Sequence, residues 1–199
     1  MLLVSGVALG QIPECGEQAC IDARDDAQTD ADTAGDAKGG YESMVQEMVE
    51  LIYCINGANG VRDLCITAGA NSAEIAAGDY YMNLGAAHGL DAEAHYTSAT
   101  ADPNGSWTLG ESRWEAGEAD HAAADYAKYE ASPPSYTTAF AKYFSAKNLF
   151  ISCQANYQAA ATEFNAGLAD WQLAEADFED GATYFYDLLG QLTEGEEEE

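Results

Sequence analysis

Nine residues of the C-terminal third stand seven apart: Tyr136, Tyr143, Phe150, Tyr157, Phe164, Trp171, Phe178, Phe185 and Leu192. Eight of the twelve aromatic residues between Pro133 and Leu192 fall in this one column. An even spread over seven columns would place about two there. Three residues after successive members come Ala139, Ala146, Cys153, Ala160, Gly167, Ala174, Gly181 and Leu188, small in all but the last case. Rings need room, and small residues supply it by letting helix backbones approach. A strict seven-residue repeat implies a helix that supercoils left-handedly against a partner.

A shorter echo lies upstream. Trp107, Trp114 and His121 are seven apart, followed at three residues by Gly110, Gly117 and Ala124. Two helices with the same device can pack on each other. The column has two readings: a surface for a helix of another chain, or an intramolecular core. The second is preferred, because the preceding helices need something to cover.

The rest of the chain is punctuated accordingly. Val45, Met48, Ile52 and Ile55 recur at three and four residues, so a helix is expected from Tyr41. Asn56 to Gly60 reads as a break. A second helix is expected from Val61 to His88, weakened by Gly69 and Gly78. Asp102-Pro103-Asn104-Gly105 is a turn, and Ser106 is the expected N-cap of a third helix reaching Ala131. Ser132-Pro133-Pro134 ends it, and a fourth helix runs toward Leu192 without proline. Such a helix would measure about 87 Å, against a radius of gyration of about 16 Å for a compact chain of this length. Either the bundle is elongated or the helix breaks near Gly167 or Gly181.

The expected fold is therefore all-α: an elongated antiparallel bundle of three to four helices over residues 41–192, with a long heptad-patterned C-terminal helix. Residues 11–40 hold six aspartates and almost no large apolar residue, and read as a flexible acidic arm. Residues 193–199 read as an acidic tail. Residues 1–10 read as the remnant of a signal peptide, with Ala8-Leu9-Gly10 before Gln11 in the small-x-small pattern of a cleavage site. Glu14 stands before Cys15 where a lipoprotein signal needs a small residue.

Charge limits the partners. With 35 acidic and 7 basic residues the net charge is −28. Affinity for a phosphate backbone comes from Lys and Arg, so no nucleic-acid partner is expected. Anionic membrane surfaces are disfavoured likewise, and no stretch approaches the roughly 20 apolar residues of a membrane span. Cations and other proteins remain as partners, self-association included. Self-repulsion on this scale destabilises a compact chain unless salt screens it, which is the signature of salt adaptation.

Five cysteines favour an oxidising, extracytoplasmic setting, with the cytoplasm of a salt-accumulating organism as the alternative. Cys15 with Cys20, and Cys54 with Cys65, are the candidate disulfides. Asp30, Asp32 and Asp36 resemble the alternating ligands of a calcium loop, but Ala34 and Tyr41 occupy two positions where ligands belong. Glu118-x-x-His121 has the spacing of the inward Glu and His of di-iron bundles. His88 and His95 are preceded at three residues by Gly85 and Ala92, so no second copy exists. The chain has no P-loop, nucleophile elbow or zincin motif, and no cofactor is expected apart from calcium or another cation. The leading expectation is a non-enzymatic structural or protein-interaction component of an extracytoplasmic assembly. A cation- or small-ligand-binding helical module comes second. A metal-dependent enzyme around Glu118 and His121 comes third.

Overall fold

The structure, a computed structural model, describes residues 16–57 and 60–194, with the backbone alone over 54–57. Among the described residues there are five α-helices and no strand: α1 Glu17–Gly57, α2 Val61–Thr67, α3 Ser72–Thr100, α4 Ser106–Asp125 and α5 Tyr136–Glu194. A π-helical turn, Tyr126–Glu130, closes α4. The chain is an all-α helical bundle. Residues 1–10, Cys15 and most of the expected acidic tail lie outside the described residues.

The expected arm is the largest correction. From Glu17 onward it is the first half of α1. Its buried face is Cys20, Ala27 and Ala34, continued by Tyr41 and Met48, all seven apart and at most 4% exposed. Alanine is the best helix former, and a narrow face of alanines can be buried as fully as one of leucines where a neighbour comes close. Gln18 to Asp22 (2.8 Å) and Gln28 to Asp32 (2.7 Å) add side-chain links one turn apart.

The expected second helix is two. Gly69 adopts φ +95, open to glycine at little cost, and this ends α2. Asn71 then caps α3: its side chain accepts from the Ala73 and Glu74 amides, and the Glu74 carboxylate accepts from the Asn71 amide. α3 continues to Thr100, beyond the expected end at His88. At α4 the cap residue is Gly105, and Ser106 is the first helical residue. α5 passes through Gly167 and Gly181 without a break.

The chain forms two compact units. In the first, the α1 segment up to Thr33 and α4 pack with α5 up to Ala159. In the second, the remainder of α1 joins α2, α3 and α5 from Ala160 onward. One construction serves both. In the first unit Tyr157 and Phe150 lie where side chains on Gly110 and Gly117 of α4 would be: a Cβ there would meet the rings at 2.8 and 2.7 Å. In the second, Phe185, Phe178 and Trp171 lie against Gly78, Gly85 and Gly89 of α3, at 2.3, 3.1 and 3.1 Å from such a Cβ. Ring numbers fall as glycine numbers rise, so α5 is antiparallel to its neighbour in each unit.

The reciprocal fit also occurs: a Cβ on Gly167 of α5 would meet the Tyr41 ring at 2.8 Å, and one on Gly181 the Met82 sulfur at 2.7 Å. Phe150, Tyr157 and Phe164 are at most 1% exposed. Complete burial of such a ring is worth about 1.5–3 kcal/mol. A smaller cluster of Val61, Cys65, Ile75, Phe185 and Leu188 fastens α2 to the second unit, reinforced by Arg62 clasping Asp79 with two bonds of 2.6 and 2.9 Å.

Two glycines should respond to substitution with opposite sign. Gly117→Val forces a branched side chain into Phe150 and should cost about 1–3 kcal/mol. Gly39→Ala, on an exposed helical turn with nothing within 4 Å of the new Cβ, should add about 0.5–1 kcal/mol. Urea unfolding of the two variants checks this; equal effects would mean that α4 does not approach Phe150.

Candidate functional site

Seven of the eight rings in the column are core within the described chain. Tyr143, Phe150, Tyr157, Phe164, Trp171, Phe178 and Phe185 are between 0% and 8% exposed. Tyr136, at the start of α5, is 49% exposed. Of the two sequence readings of the column, the intramolecular one holds for the seven.

In the first unit α4 and α5 meet in three repeating rungs. Trp107 packs edge-on to Tyr157, Trp114 to Phe150 and His121 to Tyr143, at centroid distances of 5.4, 5.4 and 5.6 Å. Such T-shaped pairs place the positive ring edge against the negative face. Three residues after each α4 ring comes the small residue that admits its partner (Gly110, Gly117, Ala124). One residue later comes a carboxylate: Glu111, Glu118 or Asp125.

The chemistry of those carboxylates follows from the facing ring. Tyr157 and Tyr143 carry hydroxyls, and these donate to Glu111 (2.7 Å) and Asp125 (2.5 Å). Phe150 has none, and Glu118 instead accepts from Nε and Nη2 of Arg24 on α1, at 2.5 and 3.1 Å. Arg24 also lies 6.0 Å over the Trp114 ring. A buried hydroxyl without a partner would cost about 1–3 kcal/mol, so each hydroxyl needs its carboxylate.

Glu118 and His121, the candidate metal pair, are not brought onto a common partner. The two residues face different partners: Glu118 is held by Arg24, while His121 Nδ1 stands 3.5 Å from Asp125. Asp30, Asp32 and Asp36 are part of α1 rather than of a loop. They lie on a helix, where residues two apart diverge by about 200°. Asp30 accepts from Gln158 (3.1 Å) and Asp32 from Gln28 (2.7 Å). Among the described residues no group of three or more His, Cys, Asp and Glu is arranged to hold a metal ion.

The cysteines divide similarly. Cys20 and Cys65 are buried and form no disulfide among the described residues. Their expected partners, Cys15 and the Cys54 side chain, lie outside the described residues. The Cys65 thiol donates to the Phe185 carbonyl (3.1 Å) and that of Cys153 to the Gly110 carbonyl (3.2 Å). Cys153 thereby ties α5 to α4 beside a ring site. Burial raises the Cys20 and Cys153 thiols to about 11.

A second polar array escaped the sequence reading. In the second unit His95 of α3 stands between two carboxylates of α5, with Nδ1 2.6 Å from Glu163 and Nε2 3.5 Å from Asp170. One heptad away, His88 Nε2 is 3.6 Å from Asp177. Glu163, Asp170 and Asp177 are seven apart, as are His88 and His95. The periodicity that picks out the rings would have found them had it been applied to polar residues.

The same unit contains a depression of about 320 Å³, lined by Tyr41, Glu42 and Val45 of α1, Glu93 and Tyr96 of α3, and Trp171 of α5. Tyr41 and Tyr96 stack with centroids 4.8 Å apart and planes 18° apart. The Tyr96 hydroxyl donates to Glu42 (3.1 Å). Burial, then the bond to Glu42, raise the Tyr96 phenol above its ordinary range.

Basic residues act as ties. Lys128 binds Glu17, Lys142 binds Asp120 at 2.7 Å, and Arg62 binds Asp79. Each of these carboxyls is held below its usual range, chiefly by that hydrogen bond. Their contribution to stability is present above the ordinary carboxylate range and is lost as pH falls through the depressed folded values.

Tyr143 and Tyr157 predict the alkaline limb. Burial, and then the hydrogen bond to a carboxylate, raise both phenols above their ordinary value of about 10. A raised folded value means stability that is complete below pH 10 and drains away above it, since only the unfolded chain ionises readily. Tyr143→Phe and Tyr157→Phe should each flatten the loss of stability between pH 10 and 12, followed by circular dichroism. Unchanged slopes would mean that the two hydroxyls are solvated. The thiols give an independent check: Cys20 and Cys153 should react with a disulfide reagent at pH 8 only as fast as the protein unfolds.

No family model, no curated protein and no solved structure matches the chain.

Proposed function

We propose that the protein is a non-enzymatic, salt-adapted structural or interaction component that associates with a second copy of itself through one face of α5. The observation that carries this is a gap in the charge. No Asp or Glu occurs between Glu130 and Glu163, although the overall acidic density would put about six in a run this long. Over the same stretch Tyr136, Phe140, Phe144 and Ile151 are 49%, 50%, 57% and 45% exposed. Their spacing places all four within about 80° of the helix circumference, and Lys147 shares the strip. Contiguous exposed apolar surface of this kind marks interaction sites.

The same distribution favours a second copy as the occupant. Two chains of charge −28 repel wherever carboxylates meet. A carboxylate-free apolar strip lets them touch without that cost, and a two-fold pairing of one patch with itself is the commonest assembly geometry. On α4, Glu111, Glu118, Asp120 and Asp125 are engaged by tyrosine, arginine and lysine partners, which favours a structural role for these carboxylates. An extracytoplasmic location is part of the same proposal; the intact mass of the mature protein, cleaved before Gln11 or not, tests it.

Sedimentation velocity in molar potassium chloride, over a hundredfold range of concentration, should show a dimer that Phe140→Glu with Phe144→Glu converts to monomer without lowering the melting temperature. A wild-type monomer at every concentration would eliminate self-association. The melting temperature itself should rise between dilute buffer and molar salt, and a flat response would remove salt adaptation.

A further inference from the structure

The depression in the second unit is walled by aromatic rings and carboxylates. Of its six lining residues, three are aromatic and two are carboxylates. Tyr41 and Trp171 are 4% and 8% exposed and form its floor, while Glu42 and Glu93 are exposed and form its rim. Three helices contribute, so the shape is set by the packing of the unit. The Trp171 ring is seated against Gly89 and the Tyr41 ring against Gly167. Both rings are therefore fixed in place before any ligand arrives.

The chemistry of these walls narrows the occupant. Two rim carboxylates disfavour an anion; no basic residue is in the lining, and Lys38, outside it, stands 3.6 Å from Glu42. A hard cation such as calcium takes six to eight oxygens, whereas this lining offers two carboxylates and two phenols, with one phenol donating to one carboxylate. A neutral apolar molecule would gain from the floor but leave the rim without a role. A methylated ammonium ion uses both: its weakly hydrated methyl groups suit an aromatic lining, in which Tyr41 and Tyr96 stack on each other beside Trp171, and the rim carboxylates complete the field. A volume of about 320 Å³ falls within the range of small-ligand pockets, roughly 300–1,000 Å³.

We infer that the depression formed by Tyr41, Tyr96, Trp171, Glu42 and Glu93 is a binding site for a methylated ammonium group, carried by a small molecule or by a methylated lysine side chain. This site is independent of the α5 strip and stands whether or not the protein dimerises.

The test is calorimetric titration with choline and with its neutral isostere 3,3-dimethylbutanol, in molar salt to suppress general attraction by the charged surface. Choline should bind and the neutral isostere bind at least about fivefold more weakly. Glu42→Gln with Glu93→Gln should weaken choline by about 5- to 30-fold, whereas Glu47→Gln with Glu50→Gln, the same charge change on exposed positions of α1, should leave it unaltered. Tyr96→Leu should weaken choline and spare the isostere. A short trimethyl-lysine peptide titrated alongside identifies the source: whichever of choline and peptide binds more tightly carries the natural head group. Equal binding of choline and its isostere, equal effects of the two glutamate pairs, or no binding of choline and peptide would each overturn the inference.

Discussion

A ring on α5 reaches its place only where the facing helix has no side chain in the way. Gly78, Gly85, Gly110 and Gly117 provide those places, and a Cβ at any of them would fall between 2.3 and 3.1 Å from the ring it admits. Contacts this close bring helix backbones together and exclude water from Phe150, Tyr157 and Phe164. They also fix register. A slip of one residue would set each ring against a side chain, so the seven-residue repeat is enforced by sterics on both sides of the contact.

The polar features follow from that register. Because Tyr143 and Tyr157 are buried to their hydroxyls, a carboxylate must stand beside each, and the α4 repeat supplies one per heptad. Where the ring is Phe150, the same carboxylate position is free to take Arg24. Glu111, Glu118 and Asp125 thus complement the packing of α4 on α5 and α1. Basic residues are few, and Arg24, Arg62, Lys128 and Lys142 tie one helix to another. The carboxylate-free stretch of α5 stands out against this background. So does the aromatic depression in the second unit, where rings and carboxylates line an open volume without filling it.

The arm and the Glu118–His121 pair show where sequence reasoning stopped. Cys20, Ala27 and Ala34 obey the heptad as strictly as the rings do, but small residues carry little hydrophobic signal, and between aspartates they look like linker. Their burial depends on how near a neighbouring helix comes, which no local pattern expresses. Glu118 and His121 have the spacing of a metal pair; in the structure Glu118 stands with Glu111 and Asp125 in a column of carboxylates, and His121 with Trp107 and Trp114 in a column of rings.

The sequence by itself determined the heptad framework of α4 and α5: the ring column of α5, the small residues three places on and the proline stop after α4 are all properties of local order, as the net charge is of composition. Only the tertiary structure decided what each helix meets. Whether a column of rings is core or interface, whether a carboxylate accepts from a phenol or a guanidinium, and whether two rings and an indole enclose an open volume depend on residues far apart in the chain. Those meetings are fixed by three-dimensional packing, and a one-dimensional periodicity is silent about its partner.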